Sequence, residues 1–147
     1  MVTIGDSLQA ELMRVLETTS VFPNYIPRVD DQWLGVPAAT YRQLDGERMT
    51  HGDVGLSKIV QDKFLVEVFS YNIEEARQWS SRLFDSFTGP IGRDDAPGHT
   101  RWVEDGPVIH WAEAASPSSD LEAAAYEHHQ VLVFEQLVIT VTYLRSC

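Results

Sequence analysis

The segment "KFLVEVFSYNIEEARQWSSRLFDSF", residues 63–87, restricts the fold more than any other part of the chain. In it an apolar strand pattern leads directly into a charged helical pattern, with no loop between them. From about Ser57 to Tyr71 the alternation predicts one long strand. One face carries Val60, Phe64, Val66 and Val68, and the other carries Leu65, Phe69 and Tyr71. We therefore expect both faces to be covered in part.

The joint that follows has the features of a helix start. Asn72 is expected to accept hydrogen bonds from the first helical amides, and Glu75, three residues later, to complete a capping box. The helix is predicted from Ile73 to Phe87, where Gly89-Pro90 stops it. Its apolar side is expected to contain Ile73, Ala76, Trp79, Ser80, Leu83, Phe84 and Phe87.

The rest of the chain predicts one more helix and three more strands. Apolar spacing favours a helix from Asp6 or Ser7 to about Thr18. Strands are predicted at Ala38 to Glu47, Pro107 to Ala114 and His129 to Arg145, while residues 21–37 and 88–101 read as irregular connections. The last run is long, so it either bends at a bulge near Glu135-Gln136 or extends beyond its own sheet.

This order of elements predicts an α+β fold. We expect one domain over residues 1–147, with an antiparallel or mixed sheet of about four or more strands. The two main helices should pack on that sheet.

Charge and targeting signals limit the classes of function. The chain has 11 Lys and Arg against 22 Asp and Glu, which gives a net charge of −11. Such a balance argues against binding DNA through a basic face, and an acidic surface would instead repel phosphates. The single Cys147 can form no internal disulfide, and the N-terminus lacks the pattern of a signal peptide. These features predict a cytosolic origin, without a membrane span.

No catalytic, cofactor or metal site is predicted. The five histidines do not show the H-x3-H or HExxH spacing of metal sites, and the single cysteine excludes a CxxC motif. The acidic pairs Asp30-Asp31, Glu74-Glu75 and Asp94-Asp95 fit a turn, a helix start and a solvated loop. The glycines of residues 89–98 follow a helix and lack the P-loop pattern. We therefore expect a protein that is not an enzyme.

The tryptophans and arginines suggest an interaction surface instead. Trp79 lies on the apolar side of the predicted helix and is expected in the core. Trp102 follows a polar loop, and Trp and Arg are enriched at protein interfaces. The candidate interface residues are Met49, His51, Arg93, Arg101, Trp102 and Trp111.

The central part of the chain resembles the tail terminator, or tail completion, family of tailed bacteriophages. The matching residues are Thr40 to Glu47, Phe64 to Phe69, Tyr71, and Glu75-Ala76-Arg77 through Leu83. They correspond to a strand, a second strand, a Tyr-containing turn and a helix of that family. The resemblance covers about Pro37 to Phe87, and "VLVFEQLVITVTYLR" is similar to the closing strand.

The resemblance implies a virion protein without a cofactor. Its subunits would form a ring, commonly a hexamer, at the head-proximal end of the tail tube, after assembly in the host cytoplasm. The ring would stop tube polymerisation, contact the tube and the neck or connector proteins, and let DNA pass without specific binding. The loops at Glu47 to Gly55, Gly89 to Arg101 and Ser116 to Tyr126 are hypothesised to make these contacts. The long last strand could also pair with an open sheet edge of a neighbour.

Two other readings stay open. A head-closure or neck protein of the same particle would have similar size and charge, and binding to the portal rather than the tube would separate the two. A small α+β ligand-binding domain would instead need a pocket between sheet and helix with converging polar groups.

Overall fold

The computed structural model describes residues 2–23, 28–29, 32–33, 37–44, 59–90, 92–93, 96–97, 100–115, 122–127 and 130–144. The helices are α1 at Ile4–Leu16 and α2 at Ile73–Ser86. The strands are β1 Val21–Pro23, β2 Arg28–Val29, β3 Gln32–Trp33, β4 Ala38–Gln43, β5 Ile59–Ser70, β6 Thr88–Pro90, β7 Gly92–Arg93, β8 Ala96–Pro97, β9 Val108–Ala115, β10 Glu122–Glu127 and β11 Gln130–Leu144. The expected α+β class, with two helices and a mixed sheet, is confirmed.

The main sheet has the strand order β1-β4-β5-β11-β9-β6, and β10 pairs with β11 beside this path. β1 runs parallel to β4, while the other pairs of this sheet are antiparallel. The pairs β2–β3 and β7–β8 form two-stranded sheets of their own. The last strand, β11, therefore lies inside the sheet between β5 and β9.

Two segments that we predicted to be irregular contain edge strands. β6 lies at the start of residues 88–101 and pairs with β9, and β1 lies at the start of residues 21–37 and pairs with β4. The prediction is wrong at these positions because strand pairing uses main-chain groups. A short edge strand containing Gly or Pro carries no apolar alternation from which it could be recognised.

β11 is 15 residues long, and its register with β5 runs without a shift from residue 133 to residue 144. The alternative of a bulge near Glu135-Gln136 is therefore wrong on the β5 side. The register shift occurs on the β9 side, between Thr142 and Tyr143. Residues 130–132 pass the end of β5 and pair with β10. The other alternative, a strand that extends beyond its own sheet, is wrong as well, because β10 belongs to the same sheet.

Both helices cover the same face of the sheet, and the hydrophobic core lies between the helix layer and that face. Its large buried side chains come from both layers: Leu8, Leu12 and Leu16 of α1, Leu83 of α2, and Phe64, Val66, Ile109, Leu137 and Ile139 of the strands. Asp62 is a buried carboxylate on this face, and its Oδ2 accepts a hydrogen bond from the Tyr143 hydroxyl at 2.7 Å. The bond provides a partner for a polar group that would otherwise be costly to bury.

α1 begins two or three residues earlier than predicted. Thr3 Oγ1 accepts a hydrogen bond from the Asp6 amide at 3.1 Å, and Asp6 Oδ2 accepts one from the Thr3 amide at 3.2 Å. This reciprocal capping box satisfies two free amides and starts the helix at Ile4, so Asp6 is in the first turn rather than at the cap. The helix ends at Leu16, because Glu17 adopts a left-handed conformation with φ 55°.

The joint between β5 and α2 depends on the hydroxyl of Ser70. This buried hydroxyl accepts a hydrogen bond from the Asn72 amide at 2.9 Å and donates one to Glu75 Oε1 at 2.8 Å. Asn72 Oδ1 accepts from the Glu74 amide at 2.9 Å, as expected of an N-cap. The prediction that Glu75 itself pairs with the Asn72 amide is wrong, because the Ser70 hydroxyl lies between them. A hydroxyl can accept and donate at once, so it connects both groups.

A second close contact joins α1 to the segment before β9. A Cβ atom added at Gly106 would lie 2.5 Å from Ser7 Oγ and 3.2 Å from the Val103 carbonyl oxygen. Ser7 Oγ is buried and has no hydrogen-bond partner. The Gly106 amide donates to the Val103 carbonyl, and its own carbonyl accepts from Arg101 Nη1. The turn therefore requires glycine because of close packing against α1.

We predict that Ser70→Ala destabilises the protein by about 1–3 kcal/mol, because it removes the shared partner of the Asn72 amide and the Glu75 carboxylate. Chemical denaturation would measure the change. Ser86→Ala is the matched control at an exposed position of the last turn of α2, and it should change the free energy of unfolding by less than about 0.5 kcal/mol. Equal effects of the two changes would contradict the role of the Ser70 hydroxyl.

We also predict that Gly106→Ala costs about 1–3 kcal/mol through overpacking. Ser7→Ala should be neutral or stabilising, since it removes a buried hydroxyl without a partner. In the double variant the cost of Gly106→Ala should fall, because the closest atom is gone. Strictly additive free energies of unfolding in this double-mutant cycle would show that the two residues do not interact.

Candidate interaction surfaces

The outer flank of α2 exposes two large apolar side chains. Ile73 and Phe84 are 11 residues apart, which places them three turns apart on the same side of the helix. They are 38% and 46% exposed, whereas Ala76 and Leu83 are fully buried against the sheet. Our prediction of one broad apolar side in the core is therefore wrong for Ile73 and Phe84, because α2 contacts the sheet through a narrower stripe.

Tyr71, directly before α2, is also exposed, at 37%. We call Tyr71, Ile73 and Phe84 the α2 patch. It is bordered by a groove of about 330 Å³ on the solvent side of the helix. The groove is lined by Arg77, Gln78, Ser81, Arg82 and Asp85, all of which are exposed.

The groove carries charges of both signs. Arg77 Nε lies 4.0 Å from Glu135 Oε1 of β11, a long pair in which the Arg77 side chain is 61% exposed and the Glu135 side chain 21%. Arg82 is exposed and has no ion-pair partner among the described residues. With Glu135 next to Arg77, two Arg stand against two carboxylates, and Arg82 is the cation that a carboxylate of another molecule could approach.

The face of the sheet opposite the helices, which we call the outer face, has an apolar patch of its own. Ile59, Trp111 and Leu144 are 40%, 40% and 39% exposed. Leu144 is paired with Ile59 on one side and with Val108 on the other, and Trp111 is paired with Thr142 one row away.

We call Ile59, Trp111 and Leu144 the outer-face patch. Strand alternation puts all three on the same face, because Ala112, next to Trp111, and Tyr143, next to Leu144, lie on the core side, and Ile59 is paired directly with Leu144. Elsewhere on this face Ala38, Thr40 and Leu65 are buried. Among the described residues, the large exposed apolar side chains of this face therefore lie at the end of the sheet where β5 begins and β11 ends.

A carboxylate borders the outer-face patch. Trp111 Nε1 donates a hydrogen bond to Glu113 Oε2 at 3.3 Å, and both side chains are exposed. Thr140 is paired with Glu113 on one side and with Lys63 on the other. Lys63 is thus two strands, or about 10 Å, from Glu113. The ring nitrogen is satisfied within the chain, so the indole ring presents apolar surface to a partner.

These two patches contain all six large apolar side chains that are exposed among the described residues. One patch lies on the helix layer and the other on the opposite face of the sheet. Ile59, Trp111 and Leu144 are neighbours on the sheet, as grouped apolar residues at interaction sites are, whereas Ile73 and Phe84 lie about 16 Å apart along α2. The geometry therefore gives the chain two different surfaces on opposite sides.

The end strands β1 and β6 of the main sheet are poorly suited to pair with another chain, whereas β10 has β11 as its single described partner in the sheet. At β1 the outward carbonyl of Val21 accepts a hydrogen bond from Gln9 Nε2 at 2.9 Å, and Pro23 has no amide hydrogen. At the other edge β6 is three residues long and ends in Pro90. The hypothesis that the last strand pairs with a neighbour's edge is wrong for most of β11, which β5 and β9 flank. Short strands with proline are typical of protected edges.

Of the three predicted interface residues whose side chains are described, Arg101, Trp102 and Trp111, only Trp111 lies on an apolar patch. Trp102 is partly buried and packs edge-on against Phe87, with ring centroids 5.7 Å apart. Arg101 donates to the Gly106 carbonyl and closes a turn. Arg93 belongs to β7, but its side chain is not among the described ones. Met49 and His51 lie outside the described residues. The role of these residues at an interface stays a prediction.

The three hypothesised contact loops are described only in part. Residues 47–55 lie outside the described residues, residues 89–101 contain the end of β6 and the β7–β8 pair, and residues 116–126 contain most of β10. Sequence reasoning missed Ile59 and Leu144, the two strand-end residues of the outer-face patch. Ile59 and Leu144 are brought together by the register of β5 with β11, and the sequence of a single strand does not reveal that register.

Among the described residues, Tyr41 and Arg14 have shifted pKa values, and both lie outside the patches. Burial, and then the carboxylate of Asp6, raises the pKa of the Tyr41 phenol. The hydrogen bond with Glu11 raises the pKa of Arg14. Among the described residues there is no group of three or more His, Cys, Asp or Glu that could hold a metal ion. In the same part of the chain, no helix is long and apolar enough to cross a membrane.

We predict that Phe84→Ser changes the free energy of unfolding by about 1 kcal/mol or less, because the ring is nearly half exposed. Its neighbour Leu83 is the matched comparison, since Leu83→Ala should cost about 2–5 kcal/mol. Thermal or urea unfolding would measure both. Similar losses at the two positions would mean that Phe84 is a core residue and that the α2 patch does not exist.

Comparison of the chain with models of known protein families finds no match. Comparison with curated proteins also finds none. The function proposed below is therefore inferred from the residues and from the two surfaces.

Proposed function

We propose that the chain is a structural subunit of a bacteriophage tail. Its subunits assemble into a ring at the head-proximal end of the tail tube, where the ring ends tube polymerisation and joins the tail to the neck. The observation that carries this proposal is the pair of different apolar patches on opposite sides of one α+β domain. The resemblance of residues 37–87 to the tail terminator family supplies the biological context.

Two different patches suit a ring better than a symmetric dimer. A dimer with twofold symmetry uses the same patch on both subunits, whereas head-to-tail contacts use two patches and close into a ring if the rotation allows it. A tube with rotational symmetry is capped by a closed ring.

The charge of the chain is compatible with a channel for DNA. A net charge of −11 gives a surface that repels phosphates, so that DNA would slide through the ring without specific binding. The proposal requires no cofactor and no enzymatic step. It places the protein in the virion, after assembly in the host cytoplasm.

A head-closure or neck protein of the same particle remains the alternative, since its subunits would also need ring contacts. A ligand-binding domain receives less support. The groove beside α2 is lined by exposed residues of one helix rather than enclosed between helix and sheet. Ligand pockets are usually concave and mostly apolar, with a few converging polar groups.

The test is a tube polymerisation assay with the tail tube protein of the same phage, observed by electron microscopy. We predict that adding the chain shortens the tubes and places an extra ring of density at one end only. Bovine serum albumin at equal concentration is the control for crowding. Unchanged tube lengths, together with binding of the chain to the portal, would contradict the terminator proposal and support the neck protein.

A further inference from the structure

We propose that the outer edge of β10, Glu122–Glu127, is a strand-addition site that binds an extended, basic segment of a different protein. The site lies at the end of β11 opposite to the outer-face patch. The inference goes beyond the proposed function, because it assigns a mode of binding and a partner chemistry that hold whether or not the chain forms a ring.

β10 is an edge strand among the described elements. It pairs antiparallel with β11, from Glu122 opposite Phe134 to Glu127 opposite Gln130, and β11 is its single described partner. No other described element packs along it. In an antiparallel pair, residues whose main-chain groups bond to the neighbouring strand alternate with residues whose groups point away from it. The outer side of β10 therefore presents main-chain donors and acceptors with which an extended segment can pair.

The order of strands leaves room for an added strand on this side. β9 and β10 follow one another along the same side of β11, since β9 ends at Ala115 opposite Val138 and β10 begins at Glu122 opposite Phe134. The strand outside β9 is β6, which pairs with residues 111–113 and does not reach β10. An added segment would therefore meet no described strand beside β10.

β10 also lacks features that protect the other two edges. It has six residues, EAAAYE, without Pro or Gly, whereas β1 and β6 have three residues each and contain Pro23 and Pro90. Its register with β11 shifts once, between Ala123 and Ala125. Because a bulge of this kind bends the strand locally, we expect the added segment to be short.

The charge of this part of the chain indicates the chemistry of the partner. All 11 Lys and Arg residues lie outside residues 102–144. The acidic residues of the same stretch are Glu104, Asp105, Glu113, Asp120, Glu122, Glu127 and Glu135. Arg77 of α2 comes close to this end of β11, but its Nε lies 4.0 Å from Glu135 and so offsets that carboxylate in part. The hairpin of β10 and β11 has glutamates at both ends of β10 and no cation of its own, so a segment with Lys or Arg complements it.

A second copy of the chain is a poor occupant of this edge. Two β10 strands paired antiparallel would bring Glu122 of one copy opposite Glu127 of the other at both ends of the contact. Like charges directly opposite each other destabilise a strand pair. The end strands β1 and β6 of a second copy are short and contain proline. The same two glutamates therefore oppose self-pairing and favour a basic partner.

The test measures binding of a designed peptide to the full chain by fluorescence polarisation at low salt. The peptide has about eight residues, with lysine at both ends and alternating threonine and valine between them, a composition that favours an extended strand. It should bind about tenfold more tightly than the same peptide with glutamate at both ends, and added salt should reduce this preference. N-methylation of two adjacent central amides blocks both edges of the peptide and should abolish binding.

Hydrogen exchange measured by mass spectrometry locates the site on the wild-type chain. The lysine peptide should slow amide exchange in residues 122–127 and leave β1 and β6 unchanged. A double variant with Glu122→Lys and Glu127→Lys should reverse the preference, so that the glutamate peptide binds more tightly than the lysine peptide. Circular dichroism checks that this variant is folded. Glu104→Lys is the matched control, because Glu104 is an exposed glutamate of the same acidic stretch outside β10, and it should retain wild-type binding.

Absence of binding up to millimolar peptide, equal affinity for the lysine and glutamate peptides, or protection of another strand in place of β10 would each overturn the inference. A wild-type dimer in native mass spectrometry, with β10 protected in the absence of peptide, would overturn it too, because a second copy would then be the occupant. The proposed function fails separately. If the chain binds the lysine peptide through β10 but leaves tube lengths unchanged, the strand-addition site is correct and the terminator function is wrong.

Discussion

The antiparallel pairing of β5 with β11 determines which side chains of the sheet are available to a partner. Its register is unbroken from residue 133 to residue 144, and it places Phe64, Val66, Leu137 and Ile139 under the helices. Because side chains alternate between faces, a slip of one residue would turn this set to the outside. The same register brings Ile59 and Leu144 together on the outer face, at the end where Trp111 also lies.

The position of α2 follows from the end of that strand. Ser70 is the last residue of β5, and its hydroxyl holds both the amide of Asn72 and the carboxylate of Glu75. The helix therefore starts directly from the sheet, without a loop that could change its direction. With this start, the side of α2 that carries Ala76 and Leu83 faces the sheet, and Phe84 stays exposed. Sheet register and helix start together produce two surfaces on opposite layers.

Much of the fold could be predicted from the sequence, because long elements carry a periodic apolar pattern. β5, α2, β9 and β11 follow from such patterns, and so does the α+β class. β1 and β6 could not be predicted, since three residues containing Gly or Pro show no period. The hydrogen bond from Ser70 to Glu75 depends on how the strand end faces the helix. Likewise, the exposure of Phe84 depends on the width of the contact between helix and sheet.

The central claim is that the chain is a ring subunit whose assembly belongs to a tail tube. Native mass spectrometry of the wild-type chain, alone and with its tail tube protein over a range of concentrations, tests it most directly. The account predicts a closed ring of about six subunits, either alone or once the tube protein is present, since capping a tube requires cyclic symmetry. A monomer or a twofold dimer that is unaffected by the tube protein would contradict it.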